Sequence, residues 1–226
     1  MRTLTLLFTL MMLFSGALSA QTAGELLRKV SVALSKGQDD YAVSLFRQSA
    51  NAGAEQAEMF YLTRVEKDSP VAPRLANELA AYYERKRSYD KAYLFYREYL
   101  QYHPEEISAL VSCAGVEMMR GKEKEAMRIY EKVLLLDTDN LQANIFLGNY
   151  FYLQAERDKK KLEEEYKKIS SPTRMQHARY RNGLHDIYYY GYAKAKEYLQ
   201  KVMQLFPSTE AESLLQKIAV LQKEME

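Results

Sequence analysis

Hydrophobic side chains recur every three or four positions along almost the whole chain after Ala23, and strand-like alternation is absent. Glycine and proline are sparse and fall between the periodic segments, as expected of residues that separate helices. The pattern therefore predicts an all-α chain. The predicted helices cover residues 24–35, 40–50, 55–67, 73–86, 89–101, 107–119, 123–135, 141–168, 175–187, 190–204 and 209–224.

Short links join most of these helices, which favours antiparallel neighbours. The last helix, 209–224, follows Pro207 and places Leu214, Ile218 and Leu221 on one face. Stacked helical arrays need a terminal element with a polar outer side. The sequence therefore predicts a C-terminal capping helix.

The chain also repeats itself with a period of 34 residues. A pair of consecutive residues whose second member is alanine or glycine recurs at this spacing, at Leu79-Ala80, Cys113-Ala114 and Leu147-Gly148. An alanine followed four residues later by a tyrosine recurs in the same way, at Ala92 with Tyr96 and at Ala126 with Tyr130. A fixed period of this length indicates a repeat architecture, in which small residues let two helices approach closely.

These residues resemble the tetratricopeptide repeat (TPR), whose pattern is W-x2-L-G-x2-Y, then A-x3-F, then P. The resemblance implies an α-solenoid of stacked antiparallel helix hairpins. In the copy at 107–140, Glu117 and Thr138 depart from the pattern. The copies are a degenerate one at about 23–56, two clear ones at 73–106 and 107–140, and a split one at 141–154 plus 190–207.

Two segments lie outside the 34-residue register. Residues 57–72 are sixteen extra positions, which we interpret as an irregular packing helix. Residues 155–189 form an insertion, interpreted either as a degenerate additional repeat or as a helix that extends past its usual end and folds back. Alternating charges at Glu156, Lys160 and Glu164 support an exposed helix and favour the second interpretation.

The resemblance further implies that the first helix of each hairpin lines a concave groove that receives a peptide or a helix. Two methionines in this set would give an adaptable apolar surface. The groove is either open or filled by the chain's own 57–72 segment or insertion. The candidate groove residues are Arg74, Asn77, Arg85, Met118, Met119, Ile145, Asn149 and Tyr152.

A second candidate surface lies near the end of the insertion, where arginine and tyrosine are concentrated. Both residue types are enriched at protein interfaces. The alternative is that the tyrosines pack against the long helix, with their hydroxyls reaching water. The residues are Arg174, Arg179, Arg181, Tyr188, Tyr189 and Tyr190.

The N-terminal residues 1–20 have the order of a secretory signal peptide. Arg2 precedes an apolar run from Leu4 to Phe14, and small residues up to Ala20 suit a cleavage site. The alternative, a membrane anchor, would need about 20 apolar residues. We therefore expect an exported domain over 21–226 without a transmembrane segment, most simply periplasmic and alternatively secreted.

Composition narrows the function classes. The chain has 32 basic and 30 acidic residues, which argues against a nucleic-acid surface. Its one cysteine, Cys113, lies in an apolar helical stretch and is predicted to be a small buried hydrophobe.

We find no catalytic motif and no metal-ligand spacing around the three histidines, so no catalytic residue, cofactor or metal is predicted. Residues 137–140 are interpreted as a turn and helix cap rather than a calcium loop.

These observations lead to one main hypothesis, a non-catalytic scaffold of the bacterial cell envelope that binds a protein or peptide. Two alternatives stay open. One is a structural subunit of an envelope complex that associates through 155–192. The other is a binder of cell-wall or carbohydrate material through its tyrosine-rich arm.

Overall fold

The computed structural model describes residues 22–225, so the predicted signal peptide at 1–20 lies outside the described residues. The described residues contain helices and no strand, which confirms the predicted all-α fold. The α-helices are α1 (Ala23–Ser35), α2 (Asp39–Ala52), α3 (Ala54–Arg64), α4 (Ala72–Arg85), α5 (Tyr89–Tyr102), α6 (Ile107–Met119), α7 (Glu123–Leu136), α8 (Leu141–Lys167), α9 (Arg174–Ile187), α10 (Ala193–Leu205) and α11 (Thr209–Met225). A π-helical segment, Tyr188–Tyr192, joins α9 to α10.

Helix starts are set by side-chain caps at several places. Thr22 and Glu25 form a reciprocal capping box at α1, and Thr173 forms another at α9. At α8 the Asn140 side chain accepts a hydrogen bond from the backbone N–H of Ala143. This contact confirms the helix cap predicted at the end of the 137–140 turn.

The turns after α1, α4 and α6 share one conformation. Each turn contains one residue with positive φ: Gly37 (68°) after α1, Arg87 (59°) after α4 and Gly121 (73°) after α6. Each is followed by a backbone N–H that donates to the carbonyl five residues earlier, as in a Schellman cap. Arg87 and Gly121 are 34 positions apart, and Gly37 precedes Arg87 by 50, which is one period plus the sixteen extra residues. The sequence period is therefore also a period of the backbone.

The chain divides into two compact units, one up to Tyr99 and one from Leu100 onward. In unit 1, α1 and α2 form a hairpin, and α4 packs against α2. Helix α3 packs against α1, α2 and α4, and its Tyr61 is fully buried. The segment outside the repeat register is therefore part of the unit's core. Other fully buried side chains of this unit are Val30, Phe46, Leu75 and Leu79.

In unit 2, α6 and α7 form a hairpin, α8 packs against α7 and α10, and α11 packs against α10. The small repeat residues allow the close approaches. A Cβ placed on Gly148 would lie 2.9 Å from the Leu199 side chain. Cys113 is buried with 2% exposure, as predicted from its apolar surroundings.

The insertion begins inside α8, which continues without a break to Lys167, and returns through α9. This is the form that the extended-helix interpretation expects. The second half of α8 and the whole of α9 form an arm. Its two helices contact each other through the stacked rings of Tyr166 and Tyr180, with centroids 4.2 Å apart. No residue of α9 is fully buried, so the arm is held by half-buried contacts.

Replacing Gly191 with alanine should destabilise the junction between the arm and the rest of unit 2. The new Cβ would lie 2.6 Å from the Cβ of Ala155, and neither atom is the end of a flexible side chain. Overpacking of this kind costs about 1–3 kcal/mol. We expect a lower melting temperature by circular dichroism.

The matched control is Gly115→Ala on α6, where only the Tyr130 hydroxyl, 4.0 Å away, would meet the new Cβ. A helical Gly→Ala change at an unstrained site stabilises by about 0.4–1 kcal/mol. Equal melting temperatures for the two variants would contradict the close approach at Gly191.

Candidate functional site

A cavity of about 260 Å³ lies between α6, α7 and α8 in unit 2. Its lining is mainly apolar, and three of its hydrophobic side chains are exposed: Met118 (36%), Ile145 (40%) and Leu153 (53%). The aromatic rings of Phe146 and Tyr150 stack behind them, with centroids 5.8 Å apart. The lining residues are Met118, Glu123, Gln142, Ile145, Phe146, Asn149, Tyr150, Leu153 and Arg157.

Three polar groups at this cavity have no hydrogen-bond or ion-pair partner among the described residues. They are the carboxylate of Glu123, the amide of Asn149 and the guanidinium of Arg157. The Gln142 amide, by contrast, donates to the Tyr130 hydroxyl at 3.3 Å. The cavity therefore combines an apolar floor with a free acid, a free amide and a free cation.

The structure brings together three of the predicted groove residues, Met118, Ile145 and Asn149. Met119 is 62% exposed but does not line the cavity. The assignment of Tyr152 to an open groove is wrong, because this side chain is only 8% exposed and packs against Tyr192 at 5.7 Å. Tyr152 lies seven residues after Ile145 and so on nearly the same face of α8, but the segment that returns from α9 covers it.

The remaining predicted groove residues lie on α4 in unit 1. Arg74 pairs with Asp40 of α2 at 2.6 Å, and Arg85 donates to the side-chain carbonyl oxygen of Asn51 at 3.4 Å. Asn77 lies half-buried on the same helix. The two arginines therefore contact α2 at the protein surface, and neither they nor Asn77 line the cavity between α6, α7 and α8.

Some tyrosines of the second candidate surface are exposed, as an interface would require, and one packs against the protein's own core. Tyr189 and Tyr190 are 62% and 64% exposed, with their rings in a T-shaped contact at 5.2 Å. Tyr188 instead packs against the core of unit 2, 6.4 Å from the ring of Tyr192. The arginines of the surface, Arg174, Arg179 and Arg181, are all exposed.

A shared carboxylate fixes the base of the arm. The Tyr192 hydroxyl donates to Glu156 at 2.5 Å. Burial and this hydrogen bond to a carboxylate raise the pKa of Tyr192, and burial with the charge of Glu156 raises the pKa of Tyr152. Both phenols therefore stay neutral at physiological pH and serve as hydrogen-bond donors.

A crystal structure of a protein from Bacteroides ovatus ATCC 8483, whose name proposes a protein-binding role, matches this chain closely. The sequences are 52% identical, the match covers 91% of this chain and 100% of that one, and the TM-score is 0.79. This chain belongs to the same family. Its repeated hairpins, recurring turns and 34-residue period make the fold that of a TPR protein.

Two more distant solved structures are also TPR proteins. One is YrrB, a TPR protein with an unusual peptide-binding site, at 16% identity, covering 85% of this chain and 91% of that one, with a TM-score of 0.38. The other is a thermophilic TPR protein from Thermus thermophilus, at 14% identity, covering 89% and 99%, with a TM-score of 0.33. No protein-family model and no curated protein matches the chain.

Sequence reasoning missed a cavity of about 540 Å³ between α1 and α3 of unit 1. It is lined by residues of the degenerate first TPR copy and of the helix outside the register. The TPR pattern therefore gave no signal for it. The lining residues are Gly24, Leu27, Arg28, Ser31, Glu55, Gln56, Met59, Phe60, Thr63 and Arg64.

Among residues 22–225, no three His, Cys, Asp or Glu side chains come together as a metal site. The helices of this range also include none that combines the length and the apolar character needed to cross a bilayer.

Proposed function

We propose that this protein is a non-catalytic scaffold of the bacterial cell envelope that binds a segment of another protein at the cavity between α6, α7 and α8. The observation that carries the proposal is the exposure of Met118, Ile145 and Leu153 around one cavity that also holds unpartnered polar groups. Exposed apolar groups that surround a concave surface are typical of interaction sites.

The lining of the cavity favours a protein segment as the guest. Its apolar side chains Met118, Ile145 and Leu153 are exposed, so the cavity is open to a side chain presented by another protein. It accommodates one or two inserted side chains, while the free Asn149 amide is available to the guest's backbone. Methionine suits such a contact because its flexible, polarisable side chain adapts to the shape of its partner.

Two further observations support the proposal. The related Bacteroides ovatus protein carries a name that proposes protein binding. The basic, apolar and small-residue order of residues 1–20 supports export, and we propose the periplasm as the location, with secretion as the alternative.

A second candidate function is that of a structural subunit of an envelope complex, associated through 155–192. The observation that favours it is the exposure of the adjacent rings of Tyr189 and Tyr190 at the base of the arm. Tyrosine gives large contact area at low cost in conformational entropy, which suits a permanent interface.

Affinity capture from envelope extract with paired variants tests the first candidate. We expect Ile145→Asp to weaken capture of the partner at least about tenfold, because it places a charge in the apolar cavity. The matched control is Leu135→Asp on α7, a side chain that is 85% exposed and does not line the cavity. A partner lost from both variants, or retained by Ile145→Asp, would contradict this site.

A further inference from the structure

The cavity between α1 and α3 is formed by one face of each helix. Gly53, directly before α3, lies against Ala23 at the start of α1, so both helices begin at the same end. The lining positions on α1 are spaced three and four residues apart, which places them on one stripe. A groove about two helical turns long therefore opens between two helices that run in the same direction.

The floor of this groove is apolar and partly open to water. Leu27 is nearly buried, while Met59 is 61% exposed. Phe60 is half-buried and held by the ring of Phe46, 6.3 Å away. The hydroxyls of Ser31 and Thr63 donate to carbonyl oxygens of their own helices, so neither is available as a donor to a guest.

Two arginines at this groove have no partner among the described residues. Arg28 lies on α1 and Arg64 ends α3, and both are exposed. The amide of Gln56, which also lines the groove, is likewise without a partner among the described residues. An apolar groove with two free guanidinium groups favours an anionic guest, because arginine binds carboxylates through paired, charge-assisted hydrogen bonds.

Two of the three acids on the same two helices are already engaged. Glu25, the only acid of α1, accepts from the backbone N–H of Thr22 in the capping box. Glu58 of α3 accepts from Tyr83 and Lys91. Glu55, in the first turn of α3, lines the groove and has no partner among the described residues, so the groove holds one free carboxylate beside two free guanidinium groups. The groove therefore keeps an excess of positive charge.

We propose that the groove between α1 and α3 is a second binding site, for an acidic segment of a partner protein. A hydrophobic side chain of that segment packs on Leu27, Met59 and Phe60, and its carboxylates contact Arg28 and Arg64. This site is separate from the cavity of unit 2. It depends on α3, the helix that the 34-residue register does not account for.

The groove can be blocked without disturbing the fold. Gly24 lines it, and a Cβ placed on Gly24 meets no atom within 4 Å. Gly24→Leu should therefore project its side chain into the groove, and it should not lower the melting temperature, because glycine is the poorer helix former.

The test measures fluorescence anisotropy of a short labelled peptide of Glu, Leu and Ser, together with its counterpart in which every Glu is Lys. We expect the purified protein to bind the Glu peptide in preference to the Lys peptide. Arg28→Glu should weaken binding by more than about tenfold, because it removes one charge-assisted contact and places a carboxylate against the acidic peptide, and Gly24→Leu should weaken binding as well.

The matched control is Lys29→Glu, the same charge change at the next, exposed position of α1, which does not line the groove. Backbone amide NMR shifts of the unmodified protein provide a second measurement, and we expect them to change in α1 and α3. Equal loss of binding in Lys29→Glu, undiminished binding in Gly24→Leu, or shifts confined to other helices would overturn the proposal. Ile145→Asp should leave binding of the Glu peptide unchanged, which separates this site from the cavity of unit 2.

Discussion

Replacing Tyr61 with alanine should lower the free energy of unfolding of unit 1 by about 3–5 kcal/mol, the usual cost of removing a buried aromatic ring. Tyr61 is fully buried on α3 and makes an edge contact with Phe95 at 5.8 Å. Its hydroxyl donates to Glu98 at 2.6 Å, and the ammonium of Lys67 lies 3.3 Å from its ring centroid. The substitution would leave a cavity and remove all three contacts.

Urea unfolding followed by circular dichroism measures this effect, and Leu62→Ala is the matched control. Leu62 is the next residue of α3 and is 54% exposed, so its truncation should change stability by less than about 0.5 kcal/mol. If the two variants were equally stable, α3 would not be an integral part of unit 1. In that case α3 would not form one side of the proposed groove between α1 and α3.

Replacing Arg120 with alanine should destabilise unit 2 by about 3 kcal/mol. Glu117 on α6 is only 2% exposed, and its carboxylate accepts a hydrogen bond from the Arg120 guanidinium at 2.8 Å. Removing the arginine leaves a buried charge without its ion-pair partner, which costs about 3–5 kcal/mol for a fully buried pair. We take the lower end because the Arg120 side chain is 21% exposed.

A compensating change distinguishes this explanation from a general loss of packing. In the double variant Arg120→Ala with Glu117→Leu, no buried charge is left, and a hydrophobic replacement of a buried ion pair is often neutral or stabilising. We expect the double variant to recover most of the stability measured by urea unfolding. A double variant as unstable as Arg120→Ala alone would show that the buried charge is not the cause.

The repeat period was the part of the fold that the sequence made most predictable. The small residues of the period, such as Ala80 and Ala114, are fully buried, because close helix packing leaves no room for larger side chains. Glu117 shows the limit of the pattern. It departs from the TPR consensus at the position where the preceding copy has Tyr83, and pairing with Arg120 is what lets a carboxylate occupy that buried place.

The residues of the candidate site could be predicted only where a side chain's position around its own helix is enough to determine whether it is exposed. Ile145 and Asn149 face the cavity as expected from their spacing. Tyr152 does not, because the returning arm covers that side of α8, and no local pattern shows where an insertion returns. Arg74 likewise finds a partner on another helix, Asp40, which is set by tertiary packing and not by sequence spacing.

Amide hydrogen exchange on the protein with its captured partner tests the central claim most directly. The account predicts slower exchange in α6 and in the first half of α8, from residue 142 to 157, with little change along α9. Slower exchange confined to the arm and to Tyr188–Tyr192, with α6 unchanged, would contradict a binding site at the cavity and would favour a structural subunit held by its insertion.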